Sequence, residues 1–144
     1  MAIVCRTAKA EDLDDINVLF QSVQRGAVAF SRRQEIVFQR LLDEALVDLL
    51  VVEQDEFVVA CCHCAIIPTL GFDGRPYAML NHLIVDPLNR RQGLATRLLT
   101  YALEYAKKSG CYQIYLAAEA TQDWQKALVR KSGFVVDQGI FVYR

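Results

Sequence analysis

Between Leu80 and Gly110 the chain reads LNHLIVDPLNRRQGLATRLLTYALEYAKKSG, and few folds accommodate that order of residues. Leu80, Leu83, Ile84 and Val85 make a strand that is apolar on both faces, so both faces must be covered, as in the interior of an α/β sheet. Asp86-Pro87 ends the strand, because proline has no N–H for the ladder. From Leu94 onward the apolar residues recur at helical spacing: Leu94, Leu98 and Ala102 form a stripe, with Ala95, Leu99, Leu103 and Ala106 beside it. Arg97, Thr100, Glu104 and Lys107 fall on the wet side, Glu104 and Lys108 are spaced to pair, and Gly110 follows as a C-cap.

The turn between strand and helix is Arg90-Arg91-Gln92-Gly93-Leu94-Ala95. The first N–H groups of a helix have no partner inside it, and the helix dipole adds about half a positive charge there. Gly93 and the small Ala95 let a ligand approach the main chain, and Arg90 and Arg91 add two full positive charges. These properties define a site for a phosphate or pyrophosphate. It is not a Walker A loop, since no Gly-Lys-Ser/Thr follows, and one glycine is too few for the dinucleotide fingerprint.

Arg90-x-x-Gly93-x-Ala95 behind Val85-Asp86-Pro87 resembles motif A of the GNAT superfamily of acetyl-CoA-dependent N-acetyltransferases. The context strengthens the likeness: a helix ending at Gly110, the run Cys111-Tyr112-Gln113-Ile114-Tyr115-Leu116, and Lys131-Ser132-Gly133-Phe134. Ile3 to Ile16 is similar to the family's opening strand and helix, so the resemblance covers nearly the whole chain. It implies that the main-chain amides of Arg90, Arg91, Gln92, Gly93, Leu94, Ala95 and Thr96 hold the pyrophosphate of acetyl-CoA, the co-substrate. It also implies that the pantetheine arm lies like an extra strand along Leu83, Ile84 and Val85, where the fourth strand splays from the fifth. A main-chain N–H near Leu83 would then polarise the thioester carbonyl.

The rest of the chain fits that frame. Ala2–Arg6 is a first strand, and Ala10 to about Gln24 a helix with Leu13, Ile16, Leu19, Phe20 and Val23 inward, closed by Gly26. Ser31 and Gln34 form a capping-box pattern for a second helix, about Arg32–Val47, with Val37, Phe38, Leu41, Leu42 and Ala45 inward. Leu49–Glu53 and Phe57–Ile67 read as a hairpin, Pro68–Pro76 as a loop and Tyr77–Val85 as the fourth strand. Helix three spans about Leu94–Ser109, strand five Tyr112–Ala118, helix four Thr121–Lys131 with Thr121 as N-cap, and a last hairpin Phe134–Arg144. The order β-αα-βββ-α-β-α-ββ predicts an α/β (α+β) fold, a single mixed central sheet with helices on both faces. It is the order of the GNAT-like acyl-CoA N-acyltransferase fold. At 144 residues the expectation is one domain, 1–144.

A net charge of −1 gives no general pull toward nucleic acid or membranes, and no apolar run reaches the roughly 18 residues that span a bilayer. Met1 to Arg6 lacks a signal-peptide pattern, so the expected location is the cytoplasm. Cys61, His63, Cys62 and Cys64 invite a zinc reading. C-x-C without a second ligand pair is not a zinc-finger spacing, so these cysteines, with Cys5 and Cys111, are read as core residues and no metal is assigned.

Acetyl transfer to an amine needs proton management, because a lysine-like ammonium has a pKa of about 10.4 and a thiol about 8.5. Here the chain departs from its relatives. Many carry a tyrosine before the Gly-Phe pair that protonates the leaving thiolate; the matching position is Val129. Many carry a glutamate base early in strand four; the matching position is Asn81, which holds a water or an amine but is no base. The catalytic candidates are therefore Asn81 and its neighbour His82, the latter a base by pKa. Strand alternation turns His82 to the face opposite Asn81, which favours a buried structural histidine. Glu119, Tyr112 and Tyr143 are further candidates, each with an ordinary structural explanation.

Arg25, Ser31, Arg32, Phe72, Asp73, Arg75 and Asn81 are candidates to line the acceptor pocket, and the Arg25–Phe30 link would lie over it by the family arrangement. The basic residues near Arg25, Arg32 and Arg33 suit an acceptor bearing a carboxylate or phosphonate, or simply a solvated surface. The reading is an N-acetyltransferase moving an acetyl group from acetyl-CoA to the primary amine of a small molecule by direct attack in a ternary complex. The alternatives are an acyl-CoA-binding protein with little catalysis and a protein lysine or N-terminal acetyltransferase. No nucleic-acid or membrane partner is expected. Relatives are often dimers, and Phe134–Arg144 offers an edge strand for a homodimer.

Overall fold

A computed structural model of the chain describes residues 2–23, 29–117 and 123–135, with the side chains of 123–126 excepted. Strand β1 (Ile3–Thr7) leads through a 3-10 turn into helix α1 (Leu13–Gln21), and helix α2 is Arg32–Asp43. Strands β2 (Val47–Gln54), β3 (Phe57–Ile67) and β4 (Tyr77–Val85) follow, then helix α3 (Leu94–Lys108), strand β5 (Gln113–Leu116) and helix α4 (Asp123–Lys131). The five strands form one sheet in the order β1-β2-β3-β4-β5. The first four pair antiparallel and β5 joins β4 parallel, so the sheet is mixed as the element order predicts.

Helices cover both faces because both faces of β2, β3 and β4 are apolar. On one side Leu50, Val52, Cys62, Cys64, Leu80 and Val85 pack beneath Leu94, Leu98, Leu99, Ala102 and Ala106 of α3. On the other, Leu49, Val51, Val58, Cys61 and Ile84 pack against Ile16 and Leu19 of α1 and Phe38 of α2. Each fully buried leucine stabilises the fold by roughly 2 kcal/mol relative to exposure. The three cysteines of β3 are split between these cores, Cys61 on one face and Cys62 and Cys64 on the other. Burial pushes the Cys62 and Cys64 thiols up to about 12, so both are neutral packing groups.

Several boundaries differ from the sequence reading. The capping box at Ser31 and Gln34 forms, but α2 stops at Asp43. Glu44 turns extended at ψ 128, and Val47 already pairs with Ala65, so sheet pairing overrides the helical spacing of Ala45 and Val47. Val37 and Ala45 are consequently exposed, as is Val23 beyond the shortened α1. Strand β5 is shorter than Tyr112–Ala118 within the described residues, and Phe134 and Val135 lie outside any strand. Glu104 and Lys108 do not pair; the ion pairs among the described residues are Arg6 with Asp12 and Glu53, and Arg32 with Glu35. Arg25, Gly26, Glu119, Thr121, Tyr143 and the turn at Gln138-Gly139 lie outside the described residues. No helix among the described residues is long and apolar enough to cross a membrane.

Candidate active site

The sheet opens at β4. On one edge, β4 stays paired with β3 as far as Val85, which faces Ala60. On the other, the ladder with β5 stops at Leu80 facing Leu116. Among the described residues, the β5 edge of Asn81–Val85 therefore has no strand beside it. An extended chain carrying its own donors and acceptors can add there as a further strand would.

The opening leads to the turn before α3. Asp86 caps the bend at Pro87–Asn89 by accepting a hydrogen bond from the Leu88 N–H at 2.9 Å. Arg91 and Gly93 both have left-handed backbones, with φ of 64° and 74°. Gly93 is the N-cap of α3, and no side chain caps the helix. Its first N–H groups have no partner inside the helix. A cavity of about 440 Å³ lies over this turn, lined by Val85, Asn89, Arg90, Arg91, Gly93, Leu94, Ala95 and Thr96, and closed by Ala127, Leu128 and Lys131 of α4. Arg90, Arg91, Lys131 and a helix N-terminus around one hollow make its potential positive.

Two of the expected donor-site residues point elsewhere. Ile84 turns its side chain into the core beside α1 and α2, leaving only its main chain at the opening. Gln92 lines a different hollow of about 540 Å³, between α1, the β2–β3 turn and Asp86–Asn89, and accepts a hydrogen bond from Gln54 at 3.4 Å. Asp15, Asp55 and Asp86 line that second hollow, so it repels the anion that the first attracts. Leu83 is half-buried against the α3-side core. Asn89, Ala127, Leu128 and Lys131 were not anticipated from sequence. Lys131 carried a legible signal, a cation in the last turn of α4 beside a Gly-Phe pair.

Strand alternation fails at His82. The β3–β4 register slips between Cys61–Ile84 and His63–Asn81, so β4 spends two residues, His82 and Leu83, opposite Cys62 alone. This is a β-bulge, and His82 adopts a left-handed φ of 52° within it. The extra residue returns His82 to the face of Asn81. His63, directly opposite Asn81 in the ladder, shares that face. The His82 ring lies 5.2 Å from the His63 ring and 5.4 Å from Phe20 of α1. His82 is exposed and Asn81 half-buried. His82 is thus not a buried structural histidine on the far face. It stands with Asn81 beside the opening, and the Cys61 thiol donates to its carbonyl at 3.9 Å. His63, read from sequence only as part of a metal question, is the residue the sequence reading missed here. Burial, then the nearby His82, pushes its pKa down to about 4.

Other expected acceptor residues are not assembled with these. Arg75 donates to the carbonyls of Gly110 and Cys111 at 3.4 and 3.3 Å. Phe72 stacks on Tyr112 with ring centroids 4.0 Å apart. Both lie in the segment just before β4, and about 13 Å of strand separates Tyr77 from Asn81. Arg32 is exposed and paired with Glu35. Val129, on α4, is half-buried and apolar. No metal-holding group of His, Cys, Asp or Glu side chains occurs among the described residues.

A family model described as "Acetyltransferase (GNAT) family" matches residues 12–134. The chain belongs to the GNAT acetyltransferase family. One curated relative, the chloroplastic GCN5-related N-acetyltransferase 6 of Arabidopsis thaliana, is 35% identical over 66 residues, a match covering 45% of this chain and 23% of that protein. A solved structure from Agrobacterium tumefaciens strain C58 superimposes with a TM-score of 0.89 at 23% identity, covering 98% of this chain and 99% of the other. The ribosomal-protein-alanine N-acetyltransferase of Brucella melitensis biovar Abortus 2308 gives 0.80 at 19% identity, over 100% and 99% of the two chains. An aminoglycoside N-acetyltransferase solved in complex with CoA gives 0.82 at 16% identity, over 99% and 94%. At these identities the superpositions establish the acyl-CoA N-acyltransferase fold.

Proposed function

We propose that the chain is an acetyltransferase that moves the acetyl group of acetyl-CoA to the primary amine of a small molecule by direct attack in a ternary complex. The observation that carries this is the end of the β4–β5 ladder at Leu80 among the described residues, with the open edge running on to a helix start at Gly93 that has no side-chain cap. In this reading Arg90, Arg91, Lys131 and the N–H groups of the first turn of α3 hold the pyrophosphate. The open edge of Leu83–Val85 pairs with the pantetheine arm, and a main-chain N–H there polarises the thioester carbonyl. A structural neighbour solved with CoA supports the choice of donor. Two neighbours carry names that specify an aminoglycoside or a ribosomal-protein acceptor, so the fold alone does not select between small and protein acceptors.

On the acceptor side, Asn81 orients the amine or a water, and His82 takes the ammonium proton before attack. Five free thiols, four of them buried, suit a reducing compartment, and we assign the protein to the cytoplasm. A second reading, an acyl-CoA binder with little turnover, is favoured by Val129, which has no proton to give the leaving thiolate. Calorimetric titration with acetyl-CoA and CoA, alongside a Gly93→Trp variant, tests the donor site. The expected result is binding in the wild type and at least a hundredfold loss in the variant, about 2.7 kcal/mol. No binding by the wild type overturns both readings. Thiol release with a panel of amines then separates enzyme from binder.

A further inference from the structure

His63 is a half-buried titratable group to which neither the donor site nor the acceptor candidates assign a task. It lies on β3, across the ladder from Asn81, with its ring nearly perpendicular to that of His82 at 5.2 Å. Phe20 approaches the pair from α1, with ring centroids 6.5 Å from His63 and 5.4 Å from His82. Among the described residues, Phe20 and His63 are the ring partners of the His82 imidazole, and His82 is exposed on a bulge.

We propose that His63 is the positioning residue for His82, its neutral ring and that of Phe20 forming the walls that hold the His82 imidazole beside Asn81 for proton transfer. This rests on the reading that His82 takes the proton of the acceptor. An ammonium N–H bond breaks as its proton bonds to the free ring nitrogen of His82. The amine nitrogen attacks the thioester carbonyl carbon, and the carbon–sulfur bond breaks as the amide forms. The departing thiolate takes the second proton shed by that nitrogen, and the His82 imidazolium returns its proton to water.

Two features of the cluster fit a supporting role. An exposed side chain on a bulge has several rotamers open to it, and an imidazole wandering by 1 Å forfeits much of the benefit of orientation. The edge-to-face contact with His63 and the tilted contact with Phe20 restrict that freedom. A second imidazole beside a base would oppose protonation if it were charged itself. Burial keeps His63 neutral down to about pH 4, so at working pH the pair carries one proton at most.

The test compares steady-state kinetics of wild type, His63→Phe, His63→Ala, His63→Gln and His82→Gln. His63→Ala and His63→Gln, which remove the ring, are expected to lower kcat about tenfold while the KM for acetyl-CoA stays within about twofold, since the donor site is untouched. His63→Phe keeps the ring and is expected to retain kcat within about threefold. If His63→Ala fails to fold, His63→Gln and His63→Phe decide the matter. Full kcat in the ring-deleted variants, with activity lost in His82→Gln, overturns the role of His63 and leaves His82 as base. Full kcat in His82→Gln overturns both assignments.

Discussion

On the α3 side of β4, the crevice proposed to take the donor is made of main-chain groups. The open strand edge, the helix N–H groups and two left-handed residues shape it, and the side chains that matter there are long cations reaching an anion. On the α1 side, the acceptor face is made of side chains. Phe20, His63, Asn81 and His82 come from three elements and meet only because β4 carries one extra residue. Main-chain recognition is generic to any chain that makes this turn, which suits the donor proposed for it. Side-chain recognition changes with each substitution, and there Asn81 and Val129 stand where the family resemblance leads one to expect a glutamate and a tyrosine.

If the two sides differ in this way, the acceptor face should respond to pH. The unfolded chain binds a proton at His63 near pH 6.5, and the folded chain only near pH 4. The unfolded state therefore binds more protons between those values, and stability falls as pH drops from 6.5 toward 4. The loss attributable to this group approaches about 2–3 kcal/mol at pH 4.5. Urea unfolding of wild type and His63→Phe at pH 7 and 4.5 measures it. The variant should lose less stability than the wild type by roughly that amount. Parallel loss in both proteins would mean that His63 is solvated, and the acceptor face looser, than its packing against Phe20 and His82 implies.

The donor side should respond to charge and salt instead. Reversing Arg91→Glu places a carboxylate against the expected pyrophosphate and should weaken acetyl-CoA binding about tenfold or more, roughly 1.4–2 kcal/mol. The KM for the acceptor amine should hardly move. Because Arg91 is exposed, half-molar salt should shrink the difference between the two proteins. An Arg91→Glu variant that binds acetyl-CoA normally but discriminates among amines would blur the division between the two sides.

The same division governs what was legible in the sequence. The fold and the donor turn are written in local spacing: Asp86-Pro87 stopping a strand, Gly93 opening a helix, and a leucine and alanine stripe along α3. Each signal acts over a few residues and survives in the structure nearly residue for residue. The end of α2 was not legible, because Ala45 and Val47 keep the helical spacing while Val47 is taken by Ala65 across the sheet. The bulge at His82 was not legible either. Alternation assumes a regular strand, and nothing in Asn81-His82-Leu83 announces an extra residue, so alternation puts His82 on the wrong face and gives no reason to join His63 to it. These are tertiary facts: a register slip against β3 decides them.

The smallest expected effect asks what Gly93 is for. Its φ of 74° is a conformation that a side chain disfavours, yet a Cβ built there meets nothing within 4 Å. Gly93→Ala should therefore cost about 1 kcal/mol of stability from backbone strain alone. The N–H groups of the turn stay where they are, and a methyl is small, so acetyl-CoA affinity should fall by no more than about threefold, under 1 kcal/mol. Thermal unfolding and calorimetric titration of the one variant give both numbers. Gly93→Trp, by contrast, fills the space the pyrophosphate would enter. A large gap between the two variants in affinity, with similar losses of stability, shows that the glycine is kept for its conformation and the emptiness above it for the ligand. Equal losses of affinity would show instead that the diphosphate lies against the Gly93 Cα itself, with no room for even one methyl between main chain and ligand.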